Sequence, residues 1–124
     1  EPKLSRITVG FTGTEHGLHQ IITQTAKLGV VKKIFTLDKN DSIYREHLLL
    51  KVKADKTERS AIKEIVEIYR GRKVDLSKNS LIIELTGASE KLDAFMDMMS
   101  CHDIAEVCRT GITGIGRSAS WHEE

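Results

Sequence analysis

An ungapped internal repeat constrains this chain more than any other feature. Ile7, Val9, Phe11, Thr12, Gly13, Leu18, Ile21, Ile22 and Val30 recur as Leu81, Ile83, Leu85, Thr86, Gly87, Leu92, Phe95, Met96 and Ile104, at the constant offset of 74 that separates Gly13 from Gly87. Each copy reads as a strand, a Thr-Gly turn, an amphipathic helix and a second strand. Such a period is too long for a solenoid and suits a pattern that recurs once per small sandwich of sheet and helices. Only the second copy has a complete domain around it.

In the first copy, Ile7, Val9 and Phe11 alternate with Arg6, Thr8 and Gly10, the period of a half-buried strand. A helix capped by Thr14 places Leu18, Ile21, Ile22 and Leu28 on one stripe, with Gly29 as its expected stop, and VVKKIFTL follows as a strand. Asp38 to Ser42 form a polar linker. Beyond it, Tyr44, Leu48, Leu50 and Val52 share one strand face and Leu49 adds apolar surface to the other. Asp55 or Thr57 then caps a helix whose Ile62, Ile65, Val66 and Tyr69 make one buried face, with Gly71 as its stop. KVDLS and LIIELTG flank Lys78-Asn79 as a hairpin. Ser89 is expected to cap the last helix, with Leu92, Phe95, Met96 and Met99 facing inward, and IAEVCRTGI closes the unit as a strand.

The fold class is therefore α+β. Residues 41–117 have the β-α-β-β-α-β order of a ferredoxin-like domain, residues 1–40 are a β-α-β half of another such domain, and residues 118–124 are a flexible tail, with Trp121 as a conceivable interface anchor. A β-α-β half cannot cover its own sheet, so it is expected to dock on the complete unit or on another chain.

With 40% hydrophobic residues in 124, the chain can bury one modest core. Its net charge of +1 argues against a partner recognised by charge, whether nucleic acid or an anionic membrane. Cys101 and Cys108 are too few for a secreted disulfide framework, which points to a reducing compartment. Neither a membrane span nor a signal peptide is legible, and the lack of an initiator Met suggests a trimmed or excised chain.

No constellation reads as catalytic, and no paired carboxylates suggest acid/base work. The strands HLLLKV and LIIEL present aliphatic residues where an RNA-recognition module would present aromatics. His16 and His19, beside Glu15, stand at i, i+3 and could ligate a metal, but nothing near them in sequence completes a site, and a solvated helix start accounts for them more simply. Cys101 and His102 are adjacent, so they seldom point at each other, and Cys108 reads as a small buried residue. The run Arg109 to Arg117 resembles a phosphate loop but lacks the Gly-Lys-Ser/Thr ending and a following helix. Gly13, Thr14 and Gly17 form a loop opening a helix, which could hold an amino-acid carboxylate on backbone amides or could be an ordinary capped turn.

The stretches LSRITVGFTG, KLGVVKKIFTL, YREHLLLKVKAD, EIVEIYRGRKVDLSKNSLIIELTGASEKLDAF and IAEVCRTGITGIGR together resemble the small, regulatory subunit of acetohydroxyacid synthase (acetolactate synthase). The resemblance implies a non-catalytic subunit with an amino-terminal ACT domain and a carboxy-terminal ferredoxin-like domain. Such a subunit would need no cofactor of its own. It would activate a thiamine-diphosphate-dependent catalytic subunit in branched-chain amino acid biosynthesis, confer feedback inhibition by valine or a related amino acid, and pair as a homodimer. It would reside in the bacterial cytoplasm or the plastid stroma. Aligned on these stretches, the chain begins at the third strand of the ACT domain, so no effector-binding residue is carried over from the family. Arg109, Thr110 and Gly111 match the family's most recognisable carboxy-terminal motif. With Arg70, Gly71 and Asp75 they are candidates for structural or subunit-contact roles, backbone geometry being the simpler account of Gly71 and Gly111 and local pairing that of Arg109. The alternative class is a small-molecule or metal sensor of the same fold, using His16 and His19.

Overall fold

The computed structural model describes residues 4–117. Its elements are α1 (Glu15–Ala26), β1 (Ser42–Lys53), α2 (Lys56–Ile68), β2 (Arg72–Leu76), β3 (Ser80–Gly87), α3 (Ser89–Met99), β4 (Asp103–Arg109) and β5 (Thr113–Gly116), with a 3-10 turn at Lys39–Asp41. They fall into two compact units, one of residues 44–113 and one of residues 4–43 with 114–117. The tail expected over 118–124, with Trp121, lies outside the described residues.

The larger unit is a sheet in the order β2-β3-β1-β4 whose neighbours all run antiparallel. This is the split ferredoxin-like arrangement expected from the element order. Strand alternation builds its core. Leu48, Leu50 and Val52 of β1 lie opposite Leu85, Ile83 and Leu81 of β3, and all six are buried. Onto them pack Ile62 and Val66 from α2 and Leu92, Phe95 and Met99 from α3, with Tyr69 meeting the Phe95 ring edge-on at 5.5 Å. Each such side chain contributes about 1.5–3 kcal/mol by leaving water. Within this unit α2 and α3 pack on the same face of the sheet.

Local chemistry fixes the helix ends. Asp55 caps α2 in a capping box, accepting from the Glu58 N–H while the Glu58 carboxylate accepts from the Asp55 N–H. At its other end, the Gly71 N–H donates to the Val66 carbonyl at 2.8 Å and the Arg70 N–H to that of Glu67 at 3.1 Å, a Schellman closure. The residue in the left-handed region is Arg70, with φ 59°, and not the expected glycine. Gly71 serves another purpose: a Cβ there would lie 3.1 Å from the Glu84 carbonyl oxygen and 3.3 Å from Val66. Ser89 is the first residue of α3 and does not cap it; Ala88 holds the cap position, and the Ser89 hydroxyl donates to Glu46 instead. The long-range carboxylate outcompetes the local backbone for that hydroxyl. The Lys78-Asn79 hairpin forms as expected, closed by the Ser77 N–H on the Ser80 carbonyl.

In the smaller unit, Thr14 caps α1 by accepting from the Gly17 N–H. No residue of α1 is buried, and the helix stops at Ala26 without a left-handed glycine, Gly29 lying beyond it. The strands expected at 4–11 and 30–37 are not paired in a ladder among the described residues, and their apolar positions Ile7, Val9 and Val30 are more than 70% exposed. Alternation gives a strand its face, but a ladder needs a neighbouring backbone edge. Phe11 does pack inward on the turn, its ring 2.7 Å from where a Cβ on Gly13 would stand. On the opposite side Thr8 accepts from the Gly114 N–H, and Arg6 donates to the Gly114 carbonyl. The run Arg109 to Arg117 that looks like a phosphate loop is in part the strand β5.

Candidate functional site

The candidate residues of the larger unit gather at one end of its sheet. There β1 and β2 begin and β3 and β4 finish, so Arg70-Gly71 and Arg109-Thr110-Gly111 share this end at opposite edges. Asp75 stands apart on β2, opposite Ile82 and past a bulge at Val74, within 3.4 Å of the Ser77 hydroxyl.

Arg109 is a clamp. Its side chain lies on the helix side of β4, where its Nε donates to Glu46 Oε1 at 2.7 Å, its Nη1 to Asp93 Oδ1 at 2.7 Å and its Nη2 to the Ser89 carbonyl at 3.3 Å. One guanidinium thereby ties β1, β4 and the first turns of α3 together, using the planar fork that lysine lacks. Thr110 locks the same end from the backbone: its N–H donates to the His47 carbonyl and its hydroxyl oxygen accepts from the His47 N–H, both at 2.9 Å. Gly111 faces open space, so a side chain would meet nothing there.

The Arg109 fork and the Ser89 hydroxyl, both donating to Glu46, hold its carboxyl below its ordinary value of 4.5 despite opposing desolvation, and the bonds to Glu46 and Asp93 raise Arg109. The sign follows from the direction. A carboxylate depressed on folding contributes stability above its unfolded value and loses it as pH falls through its folded value. Acid titration monitored by circular dichroism is expected to show stability declining below about pH 4.5, with Glu46→Gln flattening that part of the curve. An unchanged pH profile in the variant would refute the assignment.

The possible effector residues of the smaller unit form a tight capped turn. Thr14 spends its hydroxyl oxygen on the Gly17 N–H, and Phe11 lies against both Gly13 and Gly17. Beside them, Phe11, Gly17, Gln20, Ile21, Gln24 and Thr25 line an open surface hollow of about 440 Å³. His16 and His19 are exposed on α1, and among the described residues no three His, Cys, Asp or Glu side chains converge to hold a metal. Cys101 and Cys108 are both exposed, so Cys108 does not fill the small buried position expected of it. It alternates onto the uncovered face of the sheet, opposite Leu49. No helix of the described residues is long and apolar enough to cross a membrane.

This clamped sheet end lies within a stretch that matches a known family. Residues 45–118 fit the family model described as the small subunit of acetolactate synthase. The chain belongs to that family. The acetolactate synthase small subunit of Buchnera aphidicola is 35% identical over 118 residues, spanning 94% of this chain and 75% of that protein. The chloroplastic small subunit 1 of Nicotiana plumbaginifolia is 36% identical over 110 residues, which is 89% of this chain and 24% of that one. Among solved structures, the small subunit from Thermotoga maritima superimposes with a TM-score of 0.79 at 34% identity, over 90% of this chain and 68% of that one. The family is the regulatory one; catalysis lies with the large subunit, and the metal-sensor alternative is not favoured.

Proposed function

We propose that this chain binds the thiamine-diphosphate-dependent catalytic subunit of acetolactate synthase and raises its activity, as one of a pair of identical copies, in the cytoplasm or the plastid stroma. The match of residues 45–118 to the small-subunit family carries this reading. A subunit without chemistry of its own can act only by binding one conformation of its partner more tightly than another, which shifts that partner's population. The contact residues proposed are those at the clamped sheet end, with Arg70 and Gly71 at one edge and Arg109, Thr110 and Gly111 at the other. Asp75 has a structural role in the hairpin. Branched-chain amino acids, valine above all, are the proposed effectors, and Gly13, Thr14 and Gly17 are the residues through which this chain would contribute to their site.

The test is the rate of acetolactate formation by a catalytic subunit with and without this chain, repeated with valine. Activation in proportion to the chain, saturating at a fixed ratio, is expected. No activation at any ratio overturns the reading, and activation that valine leaves unchanged removes the effector role of the Gly13 turn.

A further inference from the structure

We propose that the uncovered face of the sheet in the larger unit is where two copies of this chain meet, the sheets crossed about a two-fold axis that runs through Leu49 and Ile82. The inference rests on the homodimer reading above and specifies its surface.

The face is built by the residues that alternate away from the core. At its centre β1 contributes Leu49 and Lys51, which lie directly opposite Glu84 and Ile82 of β3. The four make a rectangle with the two aliphatic residues on one diagonal and the two charges on the other. Outside it, β4 places Cys108 and Glu106 beside Leu49 and Lys51, and β2 places Arg72 beside Glu84. Leu49 is 38% exposed although it sits on a central strand, and Ile82 is only half-buried.

A two-fold axis lying in the interface can take four simple directions across this rectangle, and an isologous contact must satisfy itself under whichever one applies. Along the strands, it sets Leu49 on the second copy's Glu84; across them, it sets Leu49 on Lys51. Along the charged diagonal it sets Lys51 on Lys51 and Glu84 on Glu84. Each of these buries an aliphatic group on a charge or like charge on like. The aliphatic diagonal alone stacks Leu49 on Leu49 and Ile82 on Ile82 while placing Lys51 over Glu84 in both directions. With strands about 4.8 Å apart and alternate residues about 6.8 Å apart, the same operation also brings Glu106 over Arg72. The diagonal lies roughly 35° from the strands, so the two sheets cross at roughly 70°, near the orthogonal class of sheet packing. Within one copy Lys51 is 3.5 Å from Glu106, while Glu84 is 4.0 Å from Arg72 and 2.7 Å from His47 Nε2. In the pair Lys51, Glu84, Glu106 and Arg72 each gain a further neighbour of opposite charge.

Charge reversal tests the registry. The molar mass of the whole chain is followed by sedimentation equilibrium as Lys51→Glu, Glu84→Lys and the double variant, with thermal melting to confirm that each folds. Each single reversal is expected to weaken the dimer roughly tenfold or more, and the double reversal to recover part of that loss, since the two charges then meet again in exchanged positions while Glu106 and Arg72 within each copy face like charge. A chain that stays monomeric at every concentration fails both the homodimer reading and this face. A dimer indifferent to the single reversals, or a double variant no tighter than the weaker single one, overturns this face while leaving the homodimer standing.

Discussion

Replacing Arg109 with alanine is expected to lower the unfolding free energy by about 2–3 kcal/mol. The cost arises chiefly from what the arginine leaves behind. Glu46 is only 11% exposed and holds its charge because the fork faces it. Without that fork the carboxylate keeps a single side-chain donor, the Ser89 hydroxyl, and must either stay charged with little hydration or take up a proton. The contact with Asp93, which is 68% exposed, adds little, because water replaces it. Arg109→Lys should recover only part of the loss, since an ammonium cannot reach Glu46, Asp93 and the Ser89 carbonyl in one plane. Urea denaturation at pH 7 measures both variants. If Arg109→Ala unfolds at the native midpoint, the guanidinium is no clamp, and its place in the family motif must come from contact with another subunit.

The clamp also shows what the sequence made legible and what it hid. The β-α-β-β-α-β order and its core could be read because strand alternation and the four-residue helical stripe each report burial locally: Leu48, Leu50 and Val52 announce one face, and Leu92, Phe95 and Met99 another. Arg109 was marked only by resemblance to a family motif. Its partners Glu46 and Asp93 lie 63 and 16 residues away, a relation no local pattern encodes. Ser89 looked like a cap for the same reason, because propensity describes the first turn of a helix but not a carboxylate arriving from another strand. Cys108 lies on a sheet whose two faces differ: a small residue alternating in β4 fits either, and only the register opposite Leu49 places it on the open one. The ladders expected at 4–11 and 30–37 are absent on a different ground. Their alternation is real, yet pairing is a property of two segments and not of one.

Gly71→Val is expected to cost about 2–3 kcal/mol, while Arg70→Gly, one residue earlier, should stabilise the chain by about 1 kcal/mol. The opposite signs follow from two different demands made by the same turn. Position 70 must take up φ 59° for the Schellman closure, and an arginine there sets its Cβ against its own backbone. Glycine removes that strain and forfeits no side-chain bond among those described. Position 71 needs no unusual backbone angle. It needs space, because β3 passes so close that a first side-chain carbon would sit 3.1 Å from the Glu84 carbonyl and 3.4 Å from Leu85. The branched valine cannot relax away from backbone, so the α2–β2 turn must lift off β3, loosening the strand that carries Arg72 to Glu84. Thermal melting of the two variants separates these demands, and the activation assay separates both from a subunit contact. If Arg70→Gly is more stable yet fails to activate the catalytic subunit, the Arg70 side chain touches that partner. If it is more stable and activates fully, the left-handed arginine is a cost carried by the fold alone, and the contact at this end of the sheet belongs to the Arg109 edge.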